Sequence, residues 1–197
     1  FGFMLFDPSS TFESIETNVG FLRRIVDDGS VAAVFCKMLP YDGTPIKETL
    51  MAQGRFNGDV CNPDYDFLDP RIARCYEAIG RTVGEWVRGS DCVAAMINHA
   101  WHEVFVMERL FEPGADLVAY KTALSTVTKF SNNILFSVVE EICDGFREGG
   151  GECQQYSGLG QIREQILATL VQQRNRFVYE NQSWLLKGIS KQTLVTA

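Results

Sequence analysis

Only two histidines occur in 197 residues, and none of the six cysteines, at 36, 61, 75, 92, 143 and 153, stands in a Cys-x-x-Cys pair. That excludes a zinc ribbon or finger, which needs paired ligands at short spacing. His99 and His102 sit three apart with Glu103 beside them, so they share one helix face. A metal needs a third and usually a fourth ligand, and Asp91 and Glu108 follow no ligand pattern, so the stretch reads as an amphipathic face around Trp101. Basic residues are also few, 18 Lys and Arg against 25 Asp and Glu, for a net charge of −7. They form no tail or stripe that could track a phosphate backbone, which argues against nucleic acid as a partner. No apolar run nears the length of a membrane span, and no signal-peptide pattern is visible. No membrane partner is expected, and the cysteines of the apolar patterns, Cys36, Cys75 and Cys92, are expected as small buried thiols in a reducing cytosol.

What is present is enough for a packed core: 46% hydrophobic and 22% charged residues. The most informative run is Val31 to Leu50. Six apolar residues precede Lys37, which suits a buried strand from Val31 to Met38, covered on both faces as parallel sheets require. Pro40 cannot donate to a ladder, so the strand is expected to stop there. The turn Tyr41-Asp42-Gly43-Thr44 follows, and Pro45 opens a helix, where its missing N–H costs little. Lys37 has two readings. Either it carries its ammonium out to the rim, or it faces a cavity as a cation for a carboxylate.

Upstream, residues 1 to 6 read as a strand ending at Asp7-Pro8. This opening run reads as the middle or end of a strand whose neighbours lie before it, so the chain is expected to be a carboxy-terminal fragment of a longer protein. Ser10 and Glu13 fit a capping box, and Phe12, Ile15, Val19, Leu22 and Val26 form one helical face. Strand, helix, strand is a βαβ unit whose strands end on one rim, where α/β folds bind ligands. Asp7 on that rim is either a substrate-binding carboxylate or a turn residue bonding its own backbone. Tyr41 and Thr44 are turn residues first and ligand contacts second.

A short helix over 44–53 closes at Gly54, and 55–68 reads as loop. Asp69-Pro70 starts a helix carrying Ile72, Tyr76, Ile79, Val83 and Trp86. Gly89-Ser90-Asp91 caps another, with Val93, Ile97, Ala100, Val104, Met107 and Phe111. A long helix is expected over 116–146 with Leu124, Val127, Phe130, Ile134, Val138 and Ile142 on one side. Glu140-Glu141 reads as a solvated face. Residues 148–160 read as a Gly-rich, mobile loop, and one last helix over 159–186. The chain is therefore α/β over residues 1–68 and all-α over 69–197, where long helices with short joints suggest a bundle.

The ordered series Gly2 to Pro8, Phe35-Cys36-Lys37-Met38-Leu39-Pro40-Tyr41-Asp42-Gly43-Thr44-Pro45, Gly54-Arg55, Gly58-Asp59, Tyr65-Asp66-Phe67 and Asp69-Pro70-Arg71 resembles radical S-adenosylmethionine enzymes. The closer resemblance is to the subgroup with a cobalamin-binding domain ahead of the radical domain, and it covers roughly the first third of the chain. It implies the late βα units of a partial (β/α) barrel, followed by a carboxy-terminal helical extension. It also implies that Gly2, Phe3 and Met4 on one strand, and Cys36, Lys37, Met38 and Leu39 on the next, help hold S-adenosylmethionine. A glycine there lets a backbone approach a flat base closely. The implied cofactors are S-adenosylmethionine, a 4Fe-4S cluster and, in this subgroup, cobalamin. The substrate is then a small molecule or a peptide, and the chain's other partner is the upstream portion of its own polypeptide.

The chain departs from that family at its hallmark. Three thiolates in a Cys-x-x-x-Cys-x-x-Cys loop hold the cluster, and no such triplet occurs here. The loop and the cobalamin signature are expected upstream, and the segment alone is not expected to be active. The competing reading is a non-catalytic helical interaction module on a degenerate α/β stub.

Overall fold

The computed structural model describes residues 3–112, 117–149 and 156–195, with the side chains of 192–195 excepted. Gly2 and residues 150–155 of the Gly-rich stretch at 148–160 lie outside the described residues. The chain is mostly helical, with seven helices and four short strands among the described residues. It forms two compact units, each assembled from separated segments. Unit 1 takes Phe1–Arg24, Val34–Gly84 and Leu135–Gln155; unit 2 takes Ile25–Ala33, Glu85–Ile134 and Tyr156–Ala197.

In unit 1, β1 (Met4–Phe6) pairs in parallel with β2 (Cys36–Lys37), with α1 (Phe12–Ile25) between them in sequence. The expected strand–helix–strand order is therefore present. The cap of α1 differs from the expected one. Thr11 and Ser14 exchange bonds, Ser14 N–H to Thr11 Oγ1 at 3.2 Å and Thr11 N–H to Ser14 Oγ at 2.9 Å. Ser10 instead turns back and accepts the Asp7 N–H at 2.8 Å. Two hydroxyls one position further on can satisfy the same free donors. Phe12, Ile15, Val19 and Leu22 are buried as their spacing predicts.

The second strand is much shorter than expected, two residues rather than eight. Residues 32–35 are extended without a ladder, because their polar groups find side-chain partners. Within unit 2, Ala32 N–H donates to Asn98 Oδ1 at 3.0 Å and Ala33 N–H to Asn132 Oδ1 at 2.8 Å. Asn132 Nδ2 returns a bond to Val31 O at 3.1 Å. Buried backbone groups must pair with something, and here two amide side chains replace a neighbouring strand. The strand pair is not covered on both faces either. Met4 is 60% exposed and Cys36 is exposed, while Leu5 and Phe6 are buried.

The remainder of unit 1 holds α2 (Pro45–Ala52) and a hairpin, β3 (Phe56–Gly58) with β4 (Pro63–Tyr65). The hairpin falls where a loop is expected. Its strands are three residues each, too short for a periodic signal. Gly58 turns at φ +81°, where an added Cβ would lie 2.0 Å from Asn62 O. Asp59 then accepts the Asn62 and Cys61 N–H groups, both at 2.8 Å, and these bonds hold its carboxyl below the usual range. Next comes α3 (Pro70–Val87), started as expected by Asp69, which accepts the Arg71 N–H at 2.8 Å.

Unit 2 contains α4 (Val93–Leu110), and α5 (Leu117–Arg147) gives its first half to unit 2 and its second to unit 1. The cap of α4 is Cys92, whose sulfur accepts the Ala95 N–H at 3.3 Å, rather than the expected Gly89-Ser90-Asp91. On α5 the expected Leu124, Val138 and Ile142 are buried, but Phe130 is exposed, and Thr128, Ser131 and Asn132 are buried beside them. Each of the three has work that apolar residues cannot do. Trp101 Nε1–H donates to Thr128 Oγ1 at 3.2 Å, Trp86 Nε1–H to Ser131 Oγ at 2.9 Å, and Asn132 holds residues 31–33. The last expected helix is two, α6 (Leu159–Glu180) and α7 (Gln182–Val195), broken at Asn181, whose Nδ2 caps Phe177 O at 2.9 Å. Asn commonly ends helices this way because its amide can bond locally. α7 lies against the end of α4, where Phe111 and Trp184 stack at 5.1 Å and Gly188 faces the Phe111 ring. No helix among the described residues is long and apolar enough to cross a membrane.

Candidate functional site

The strand ends of unit 1 come together at one edge. Phe6 stands opposite Lys37, and Met38 N–H donates to Phe6 O at 2.8 Å. Asp7 leaves β1 and Leu39 leaves β2 from neighbouring points on this rim. Phe3 O accepts the Cys36 N–H at 2.9 Å, and the Phe3 ring stacks on Phe21 at 5.8 Å. Leu39, 45% exposed, is the apolar side chain this rim presents to solvent, and Met4, 60% exposed, stands at the other end of β1 opposite Cys36. Cys36 is also exposed rather than buried, because β2 ends before a second layer covers it.

Lys37 settles inside the unit. Its ammonium donates to Tyr65 O at 3.0 Å and pairs with Asp64. It also lies over the rings of Tyr65, Phe67 and Tyr76, at 4.2, 4.8 and 5.5 Å from their centroids. The side chain keeps only 12% of its exposure. Aromatic faces carry negative charge density and attract such a cation, so Lys37 fastens the hairpin to β2. The Tyr65 hydroxyl donates to Phe6 O at 3.4 Å, and burial, then the negative charges of Asp7 and Asp64, push its acidity far down. Sequence reasoning noticed Tyr65-Asp66-Phe67 only through the family resemblance. The contacts that join them to Lys37 span about thirty residues and leave no local pattern.

Asp7 is engaged locally. Its Oδ1 accepts both the N–H and the hydroxyl of Ser9, each at 2.7 Å, the arrangement of an Asx turn. Arg55 holds the segment that follows, donating to Pro8 O and to Asp66 O. Thr44 caps α2 by position, while its hydroxyl donates to Tyr41 O at 2.6 Å. Gly43 makes the turn at φ +77°, and Tyr41 stands 62% exposed. Asp42 is paired with Lys47, whose ammonium lies over the Phe56 ring.

Among the described residues no three His, Cys, Asp or Glu side chains gather to hold a metal ion. His99 and His102 are exposed, and His102 stacks near Phe105 at 6.3 Å. Glu103 is bound by Arg174 through Nε and Nη2 at 2.8 Å each. The two residues flank a cavity of about 600 Å³ walled by Met107, Phe177, Leu185 and Ile189. Nearby in the same unit, Tyr120 stacks on Phe177 at 4.6 Å with its hydroxyl buried and unpaired. Burial first, and the Glu103 charge second, push that hydroxyl up to about 12. A raised pKa means the folded form holds its proton more tightly. The stability tied to Tyr120 is complete below pH 10 and is lost as pH rises through about 12. Tyr120→Phe is expected to flatten that alkaline fall in urea titrations between these limits. At neutral pH it should raise stability by about 1 kcal/mol, by deleting an unpaired buried hydroxyl.

No family model, no curated protein and no solved structure matches this chain.

Proposed function

We propose that this chain is the carboxy-terminal part of a radical S-adenosylmethionine enzyme, of the subgroup that carries a cobalamin-binding domain. Residues 1–68 would supply late units of a partial barrel, and 69–197 a helical lid or substrate platform. The observation that carries this reading is the parallel pairing of β1 and β2 through α1, with both strand ends on one edge and the Gly43–Pro45 turn directly after. A two-stranded parallel sheet with exposed Met4 and Cys36 does not cover itself. Parallel strands are normally buried on both faces within larger sheets. Further strands from the upstream polypeptide would complete it.

In this reading Leu39 offers exposed apolar surface to a flat base at the rim, and Met4 and the backbone of Phe3 and of Cys36 to Leu39 would line the sheet leading to it. Asp7, Tyr41 and Thr44 remain the candidates for substrate contact. The chain's own thiols do not suit an iron–sulfur cluster, since those described are scattered as Cys36 and Cys61 at the surface and Cys75, Cys92 and Cys143 inside. Cluster ligands, and any cobalamin, would belong upstream. A 4Fe-4S cluster held there would supply the electron that splits S-adenosylmethionine for hydrogen abstraction from, or methyl transfer to, a small molecule or peptide.

The test uses the full-length parent, reconstituted with iron and sulfide without oxygen and reduced with dithionite. Release of 5′-deoxyadenosine is expected. Leu39→Glu should raise the KM for S-adenosylmethionine about tenfold, on the order of 1.4 kcal/mol. A parent that lacks the three-cysteine loop, binds no iron and leaves S-adenosylmethionine intact refutes the proposal and favours the helical interaction module.

A further inference from the structure

Within unit 1, Cys75 on α3 and Cys143 on α5 bring their sulfurs to 3.5 Å, and both residues are buried. Neither takes part in the rim described above. Small buried thiols are common core residues, but two that touch differ from two that are apart. A disulfide forms when the sulfurs approach to ~2.05 Å with Cβ atoms ~3.8 Å apart. From 3.5 Å this needs side-chain rotation rather than movement of a helix.

Access favours one of the two. Cys143 lines a cavity of about 180 Å³, together with Ile15, Val19 and Val139. Charged groups stand around the same cavity: Arg147, which pairs with Glu16 and Asp144, and Glu140, which pairs with Arg23. A space of that size admits a molecule of a few atoms and excludes a tripeptide disulfide. Cys75 has no share in the lining.

We propose that Cys143 and Cys75 form an oxidisable dithiol whose co-reactant is a small hydroperoxide. Cys143 sulfur attacks the terminal peroxide oxygen, the O–O bond breaks, the Cys143 thiol proton passes to the leaving oxygen, and the products are a Cys143 sulfenic acid and an alcohol, or water from hydrogen peroxide. Cys75 sulfur then displaces the hydroxyl from Cys143, forming the S–S bond and releasing water, with the Cys75 proton leaving on that water. The two thiols lose two electrons in all, and the peroxide gains them. The sulfenic acid has its resolving thiol already in contact, so it does not persist for further oxidation.

The experiment uses the full chain, reduced, exposed to substoichiometric and then stoichiometric hydrogen peroxide, alkylated in denaturant and digested with trypsin. The expected product joins the peptide 75–81 to the peptide 130–147, two hydrogens lighter than the reduced pair and separated again by dithiothreitol. In Cys75→Ser, Cys143 is expected to stop at the sulfenic acid and to be trapped by dimedone. In Cys143→Ser, Cys75 should remain alkylatable. Mapping the wild-type chain decides the matter even if either variant folds poorly. The proposal is overturned if Cys75 and Cys143 stay fully alkylatable at doses that oxidise the exposed Cys36 and Cys61. It is equally overturned if the cross-links formed join other cysteines instead.

Discussion

Asn132→Leu is expected to lower the stability of unit 2 by about 4 kcal/mol, close to half of what a domain of ordinary stability holds. The leucine matches the amide in size and leaves no large void. What it removes is the acceptor for Ala33 N–H, a buried bond of 2.8 Å, and the donor to Val31 O, a part-buried bond of 3.1 Å. Each buried backbone group left without a partner costs about 1–3 kcal/mol. No water is expected to repair the Ala33 N–H, since Ala32 and Ala33 are almost fully buried, while Val31 O lies in a half-buried position. A urea midpoint lower by about 2 M would follow from an ordinary slope. Asn98→Ala is the graded control. It frees only the Ala32 N–H, so it should cost about 1–3 kcal/mol. If Asn132→Leu unfolds at the same urea concentration as the parent, residues 31–33 are not held in the way described.

Lys37→Ala is expected to cost about 2–4 kcal/mol in unit 1, from a charged hydrogen bond and the attraction of the ring faces together. The ion pair with Asp64 adds little, because Asp64 is more than half exposed. That division can be tested. Asp64→Asn should cost under about 1 kcal/mol and lose its effect in high salt, while the Lys37→Ala loss should persist in salt. Lys37→Met keeps the stem that packs against Tyr65, Phe67 and Tyr76, so it should recover about half of the loss. Equal losses for Lys37→Ala and Asp64→Asn would show that the ion pair, not the aromatic setting, holds the hairpin.

Both predictions concern residues whose roles are distant in sequence from their partners, and that distance explains what could be read early. The helical faces were legible wherever apolar residues repeat on one side. Phe12, Ile15, Val19 and Leu22 on α1, and Val93, Ile97, Val104 and Met107 on α4, are buried as their spacing requires. The Asp69-Pro70 start and the Thr44-Pro45 start were legible because capping is decided within four residues. On α5 the spacing found Leu124, Val138 and Ile142 but missed the buried Thr128, Ser131 and Asn132, because polarity says exposed unless the partner is known. The run from Val31 to Phe35 misled in the opposite sense. Its apolar, β-branched composition fits a strand, yet its hydrogen bonds go to side chains of α4 and α5.

The candidate site divides along the same line. Sequence order placed Asp7 and Lys37 at the ends of two strands, and their parallel pairing brings those ends together. The direction of each side chain was not in the sequence. Asp7 has a choice between a ligand and its own turn, and the Ser9 groups two residues away take it. Lys37 has a choice between solvent and cavity, and three aromatic rings supplied by the hairpin and α3 take it.

By itself the sequence determined where most helices run, where they start, and that two strands flank the first of them, because those outcomes depend on spacing and on groups within a turn of one another. Tertiary structure alone decided which polar residues go inside, how far the second strand extends, and which two of the described thiols meet. Those outcomes depend on pairing buried donors, acceptors and sulfurs across tens of residues, and no local regularity records such a pairing.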